Sequence, residues 1–264
     1  MVGLIIIGDE ILSGRRQDKH LVKAIELLNE RGMALQWVRY VGDDPDRITA
    51  DIRHALDCGD VVFSFGGIGA TPDDHTRGCA ARAVGRALCL HPEARELILA
   101  RSREVAEQEG RTFDPDAPDT QRRLQMGFFP GGATIIPNPY NRIPGFSLMA
   151  RIHFLPGFPV MAWPMMAWVL DERHAALHNQ TRVCERAVIV YGAMEAALTP
   201  LMEQIESRFA PVKVFSLPSV DHPVHGRHIE LGVKGPIDVV DEAFASLLDG
   251  LNQHGASLGP TSVR

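Results

Sequence analysis

Five β-favouring residues, Val61-Val62-Phe63-Ser64-Phe65, stop at Gly66-Gly67-Ile68-Gly69 and pass through Ala70-Thr71-Pro72-Asp73-Asp74-His75-Thr76 into a helical pattern. A buried strand handing over to a helix through a glycine turn is one arm of a crossover, and crossovers build parallel sheets covered by helices. The segments before it keep the same alternation: Gly3–Ile7 is an apolar run, Lys19–Arg31 has helical spacing, Leu35–Val41 is strand-like and Ile48–Leu56 is helical again. After it, Asp73–Gly85 and Glu93–Gln108 read as helices, Gly110–Pro118 as a loop, and Thr134–Ile136, Gly145–Leu148 and Ile152–Leu155 as strands among proline turns. Val160–Leu177 reads as the closing helix of a first unit spanning residues 1–178. From 183 to 252 the order strand, helix, strand, strand, helix suggests a small α+β domain. Residues 253–264, small and polar, are expected to be a flexible tail.

Several partners are excluded by charge and composition. A formal net charge of -6 over 264 residues argues against a phosphate backbone as the main partner, which needs a basic face, so nucleic acid is not expected. Val160–Leu170 is about half the length of a spanning helix and is broken by Pro164, so no membrane segment is expected. Four cysteines, Cys58, Cys79, Cys89 and Cys184, form no CxxC pair and read as core side chains in a reducing, cytoplasmic chain. Met1 runs straight into Val2-Gly3-Leu4-Ile5-Ile6-Ile7, which reads as a buried first strand, so no leader is expected.

Chemistry concentrates in the glycine turn. Glycines let a ligand approach the backbone, and Thr71 followed by Pro72 resembles an N-cap and first helical residue, a natural site for a phosphate. Asp73 and Asp74 would otherwise simply complement the helix dipole. A carboxylate within ~4 Å of a phosphate is repelled by about 1 kcal/mol even in bulk water, so a divalent cation, Mg²⁺ or similar, is expected between them, held by Asp73 and Asp74. Gly8-Asp9-Glu10, with Ser13, Gly14 and Asp18, makes a second acidic turn at the end of the first strand, on the same sheet edge. Asp18 could instead start the following helix.

The paired turns Gly8-Asp9-Glu10-Ile11-Leu12-Ser13-Gly14…Asp18 and Gly66–Thr76 resemble the signatures of MoaB/MogA-type molybdopterin-binding domains, and more closely those of the N-terminal part of CinA. Pro137-Asn138-Pro139, Pro144-Gly145-Phe146 and Leu155-Pro156-Gly157-Phe158-Pro159 follow in the order of CinA-like chains. The resemblance covers about residues 1–178, more loosely 183–252. It implies a three-layer, doubly wound, mostly parallel α/β fold whose glycine turn holds phosphate, and a phosphate-bearing pterin or nucleotide as ligand. Self-association into homo-oligomers is also expected. Ala70 stands where the family usually has proline, His20 near its usual asparagine, His75 at an apolar position, Asn141-Arg142 for a Gly-Thr-like pair, and Met161 near a usual glutamate. No counterpart of the CinA amidase domain is present, so pyridine-nucleotide deamidation is not expected.

Expected ligand contacts are Gly66, Gly67, Gly69, Thr71, Thr76, Ser13, Gly14, Asp18 and Asn138, with Tyr140 and Arg142 either stacking on a ring and binding phosphate or lying in a surface loop. As an enzyme the chain would direct metal-assisted attack at a pyrophosphate or adenylyl phosphorus, with Asp73 and Asp74 placing the cation and Asp9 or Glu10 orienting water; the resemblance implies hydrolysis of an ADP-ribose-type pyrophosphate or adenylyl transfer to a pterin. As a binding protein it would keep the pocket without turnover. His222, His225 and His228 read as a solvated turn between strands, and Met161–Trp168 as core.

Overall fold

The computed structural model describes residues 1–179 and 183–263, which fall into two compact units, Met1–His178 and Asn179–Arg264. The first unit starts with β1 (Val2–Ile7), α1 (Asp9–Leu12), α2 (His20–Asn29), β2 (Leu35–Val41), α3 (Pro45–Cys58), β3 (Val61–Phe65) and α4 (Thr76–Val84). It continues through β4 (Leu88–Leu90), α5 (Pro92–Gln108), α6 (Pro118–Leu124), β5 (Phe128–Pro130), β6 (Thr134–Ile136), β7 (Gly145–Leu148), β8 (Ile152–Leu155) and α7 (Pro159–Arg173). The main sheet has the order β2-β1-β3-β8-β7-β6. Its first four strands are parallel and β7 is antiparallel to both neighbours. All residues of β1 and β3 are buried, as central strands covered on both faces require.

One face packs α3, α4 and α5 through Ile48, Ile52, Ala80 and Ala94, and the other packs α2 and α7 through Leu27, Leu28, Met165 and Val169. The sequence encodes α3 cleanly: Asp44 accepts from the Asp46 and Arg47 amides, Pro45 opens the helix and Gly59 closes it at φ 75°. Pro118–Leu124, lying just beyond the expected loop, adds a short helix that its seven residues could not announce by periodicity.

A hydrogen-bonded chain crosses the core behind β7 and β8. Arg173 Nη1 donates to Ser147 Oγ at 2.5 Å, whose hydroxyl lies 2.7 Å from His153 Nδ1, and His153 Nε2 lies 2.8 Å from His174 Nε2. With Ser147 donating to Nδ1, His153 carries its proton on Nε2 and donates it to His174, so both rings are neutral. Burial drives the His153 pKa well below 6.5, with the neighbouring His174 and Arg173 charges adding to it, and burial likewise lowers His174. The unfolded chain protonates these rings near pH 6.5 while the fold does not. Stability is therefore full above that pH and falls as pH drops toward the folded-state values, by about 1.4 kcal/mol per pH unit for each proton taken up. Urea midpoints between pH 7.5 and 5.5 should decline, and less steeply in His153→Gln; a flat profile would refute the neutral assignment.

The second unit comprises β9 (Val183–Tyr191), α8 (Glu195–Arg208), β10 (Lys213–His222), β11 (Gly226–Pro236), α9 (Ile237–Gln253) and β12 (Ser257–Val263). Its antiparallel sheet runs β10-β11-β9-β12 and packs both helices through Leu198, Leu201, Phe244 and Leu247. The expected flexible tail is corrected here: Ser257–Val263 is an edge strand paired to β9. An edge strand needs only one apolar side, supplied by Leu258, and tolerates Pro260 where the register shifts between Leu258 and Thr261. Arg264 lies outside the described residues. The three hairpin imidazoles gather with centroids 5.0, 5.2 and 5.6 Å apart. They make no three-donor metal group, and none exists elsewhere among the described residues.

Candidate functional site

The turn after β3 folds by binding itself. Asp74 Oδ1 accepts from the Gly69 amide at 2.8 Å, and Oδ2 from the Thr71 amide and hydroxyl at 2.8 and 2.5 Å. The Asp74 amide returns to the Thr71 carbonyl at 3.0 Å and that of His75 to the Asp73 carbonyl at 3.0 Å, so the helix starts at Thr76 with His75 as N-cap. This corrects the expected start at Asp73 and the expected capping by Thr71. Both oxygens of Asp74 are spent on the turn.

The glycines serve two close approaches. A Cβ on Gly66 would sit 2.5 Å from the Ile7 carbonyl oxygen, and one on Gly67 would sit 2.2 Å from Thr76 Oγ1; both residues have positive φ, 102° and 67°. Thr76 is fully buried, and its hydroxyl and amide donate to the Gly66 and Gly67 carbonyls, both at 3.0 Å. A trans peptide places its N–H opposite its carbonyl. Anchoring those two carbonyls on Thr76 therefore turns the Gly67 and Ile68 N–H groups the other way. The amides of Gly67, Ile68 and Ala70 have no hydrogen-bond partner among the described residues. All three residues line a cleft of about 950 Å³.

Opposite the turn, β1 is followed by Gly8, and Asp9 exchanges hydrogen bonds with Asp43 beyond β2. The Asp9 amide donates to Asp43 Oδ2 at 3.0 Å, and the Asp43 amide to Asp9 Oδ1 at 3.2 Å. Asp9, Glu10, Asp43, Asp73 and Asp74 all line the cleft, joined by Arg15 and Arg16. Burial raises the Asp43 pKa, and the like charges of Asp9, Glu10 and Asp73 raise it further, while hydrogen bonding from the Asp9 amide opposes both. The apolar wall includes Met126, Ile143, Phe158 and Met161.

Asn138 also lines the cleft, though its side chain is turned to Asn141, Ile143 and Tyr140 and shapes its own loop. Ser13, Gly14, Asp18, Thr76, Tyr140 and Arg142 are not among the lining residues. Asp18 starts α2, accepting from the His20 and Leu21 amides at 2.7 and 3.1 Å and from the Tyr40 hydroxyl at 2.7 Å. Burial and that bond raise Tyr40 to about 12. Ser13 Oγ accepts from Arg15 Nε at 3.2 Å, Arg142 pairs with Glu104 at 2.7 Å, and Tyr140 is 60% exposed. Sequence reasoning missed Asp43, Arg15 and Arg16. Arg15-Arg16 directly follow the acidic turn and could have been found from that adjacency.

Asp74 is committed to the turn, and among the described residues no group of three metal donors is found. The carboxylates of the cleft suit the common arrangement in which one or two of them meet an ion that phosphate oxygens also hold.

Residues 3–176 match the family model described as a probable molybdopterin binding domain. The chain belongs to this family. Among curated members of the wider group, a CinA-like protein of Syntrophotalea carbinolica is 30% identical over 218 residues, 79% of this chain and 50% of that protein. One of Anaeromyxobacter dehalogenans is 32% identical over 180 residues, 67% and 42% of the two chains. The molybdopterin-binding-type chain thus spans about half the length of these CinA-like relatives. The crystal structure of CinA from Thermoplasma acidophilum superposes with a TM-score of 0.53 at 27% identity, covering 65% of this chain and 95% of that one. The α/β architecture with a mostly parallel central sheet is shared with it. Among the described residues no helix is long and apolar enough to cross a membrane.

Proposed function

We propose that the cleft binds the phosphate group of a pterin or nucleotide, with the Gly67, Ile68 and Ala70 amides as its oxygen-binding donors. The observation that carries this reading is their lack of any partner among the described residues, in a turn whose Gly66, Gly69, Thr71, Asp74, His75 and Thr76 amides are all hydrogen-bonded. Unpaired backbone donors in a concave turn favour an anion, and the Met126, Ile143, Phe158 and Met161 wall suits a ring. Isothermal titration with AMP, ADP-ribose and a pterin phosphate tests it; binding that survives unchanged in Gly69→Ala, where a Cβ would meet Asp74 Oδ2 at 2.5 Å, counts against it.

The convergence of Asp9, Glu10, Asp43 and Asp73 supports a second step, hydrolysis of an ADP-ribose-type pyrophosphate with a divalent cation. Asp73 and Asp43 would hold the ion together with the ligand's phosphate oxygens, Asp74 acting through the turn. The ion would supply charge neutralisation at the phosphorus. Asp9 and Glu10 would orient the attacking water, and the loop amides would hold the equatorial oxygens. We expect AMP release from ADP-ribose to require Mg²⁺ or Mn²⁺ and to fall at least tenfold in Asp73→Asn. Ligand binding without AMP under any cation would leave a binding protein; formation of an adenylylated pterin from ATP would favour transfer instead.

A further inference from the structure

The third unbonded amide is oriented by a residue that never reaches the cleft. Ala70 N–H belongs to the same peptide as the Gly69 carbonyl, and that carbonyl accepts from Arg77 Nη2 at 2.5 Å. The trans geometry then turns the Ala70 N–H away from Arg77, as Thr76 does for Gly67 and Ile68. Arg77 Nη1 meanwhile donates to the Gln125 carbonyl, next to Met126 on another wall of the cleft. One side chain of the first turn of α4 thus ties the phosphate turn to that wall.

Arg77 is also a cation without a counter-ion. It is 9% exposed and makes no salt bridge with a carboxylate among the described residues, its hydrogen bonds going to neutral carbonyls. Burial pulls its pKa down while the Asp74 charge holds it up, and a guanidinium stays protonated in proteins. Asp74 is nearby, yet both its oxygens face Gly69 and Thr71. A buried charge left without a direct partner is costly unless something else balances it.

We propose that Arg77 is a positioning residue and the fixed cation behind the phosphate turn: it aims the Ala70 amide and makes the turn select dianionic over monoanionic phosphate without touching either. This inference rests on the phosphate reading of the cleft and adds to it the charge state of the ligand that the turn favours.

The test compares Arg77→Lys with Arg77→Gln in the full chain, since each keeps a donor for one carbonyl and only lysine keeps the charge. Inorganic phosphate is titrated calorimetrically at pH 5.5 to 8, with Tm measured alongside. Wild type should bind more tightly as phosphate becomes dianionic. Arg77→Gln should lose about tenfold in affinity at pH 8 and most of that pH dependence, whereas Arg77→Lys should stay within about threefold. Equal losses in both variants would reduce Arg77 to a strut and overturn the charge role, and unchanged binding in Arg77→Gln would overturn the inference while leaving the phosphate site standing. A wild-type chain that takes up no phosphate, with or without Mg²⁺, overturns the site and the inference together.

Discussion

Replacing Gly66 by alanine should lower the Tm by about 10 °C. The new Cβ would lie 2.5 Å from the carbonyl oxygen of Ile7, a backbone atom held at the end of β1, where Ile7 pairs with Val41 of β2. Nothing flexible is there to yield. The residue also has φ 102°, where an L side chain is strained by about 1–3 kcal/mol, and forcing a methyl into a packed interior costs roughly another 1–3 kcal/mol. The sum, about 2–6 kcal/mol, at roughly two to four degrees per kcal/mol in a chain of this size, centres on a fall of about 10 °C. Gly78→Ala is the matched control: it sits in α4 at ordinary φ with nothing within 4 Å of a new Cβ, so it should be neutral or stabilising. Thermal melts of the two variants that coincide would show that β1 does not confine the turn as described.

The second large effect belongs to Asp74. Removing its carboxylate in Asp74→Ala deprives the Gly69 amide, the Thr71 amide and the Thr71 hydroxyl of their acceptor at once. Hydrogen bonds to a charged acceptor are worth about 1.5–3 kcal/mol each, and the part-exposed turn recovers some of that from water, leaving a loss of roughly 2–4 kcal/mol. Because the same bonds set the path of the turn, phosphate affinity should fall by about a hundredfold. Asp73→Ala should behave differently, since Asp73 is exposed and its carboxylate accepts from no backbone amide of another residue in the turn, Thr71 being its side-chain partner: its Tm should stay close to wild type while any cation dependence of binding weakens. Two adjacent aspartates with exchanged phenotypes, stability lost at 73 and retained at 74, would invert the assignment.

Those neighbours mark the border of what the sequence determines. The strands Val2–Ile7 and Val61–Phe65 are legible because a strand buried on both faces must be apolar at every position, which leaves an unbroken run. The turn is legible because Gly66 and Gly67 occupy backbone conformations and close contacts that other residues cannot. The resemblance of these segments to a molybdopterin-binding family agrees with the match over residues 3–176. Which of the two cleft-lining aspartates spends its carboxylate on the amides of the turn is not written in Asp73-Asp74, since it depends on where two side chains point after the chain has doubled back.

Asp43 is 34 residues from Asp9 and meets it only because β1 and β2 pair in parallel, with Ile7 beside Val41. Asp18, ambiguous in sequence, is claimed by the α2 amides and Tyr40. Ser257–Val263 looked like a tail because an edge strand draws its order from the ladder to β9 rather than from its own composition. Sequence alone thus determined the central strands Val2–Ile7 and Val61–Phe65, the glycine turn and the presence of charge at the sheet edge, all local consequences of burial and backbone freedom. Tertiary structure decided which charges share a cleft, which amides are left unbonded and what lies behind them, because those depend on distances between segments far apart in the chain.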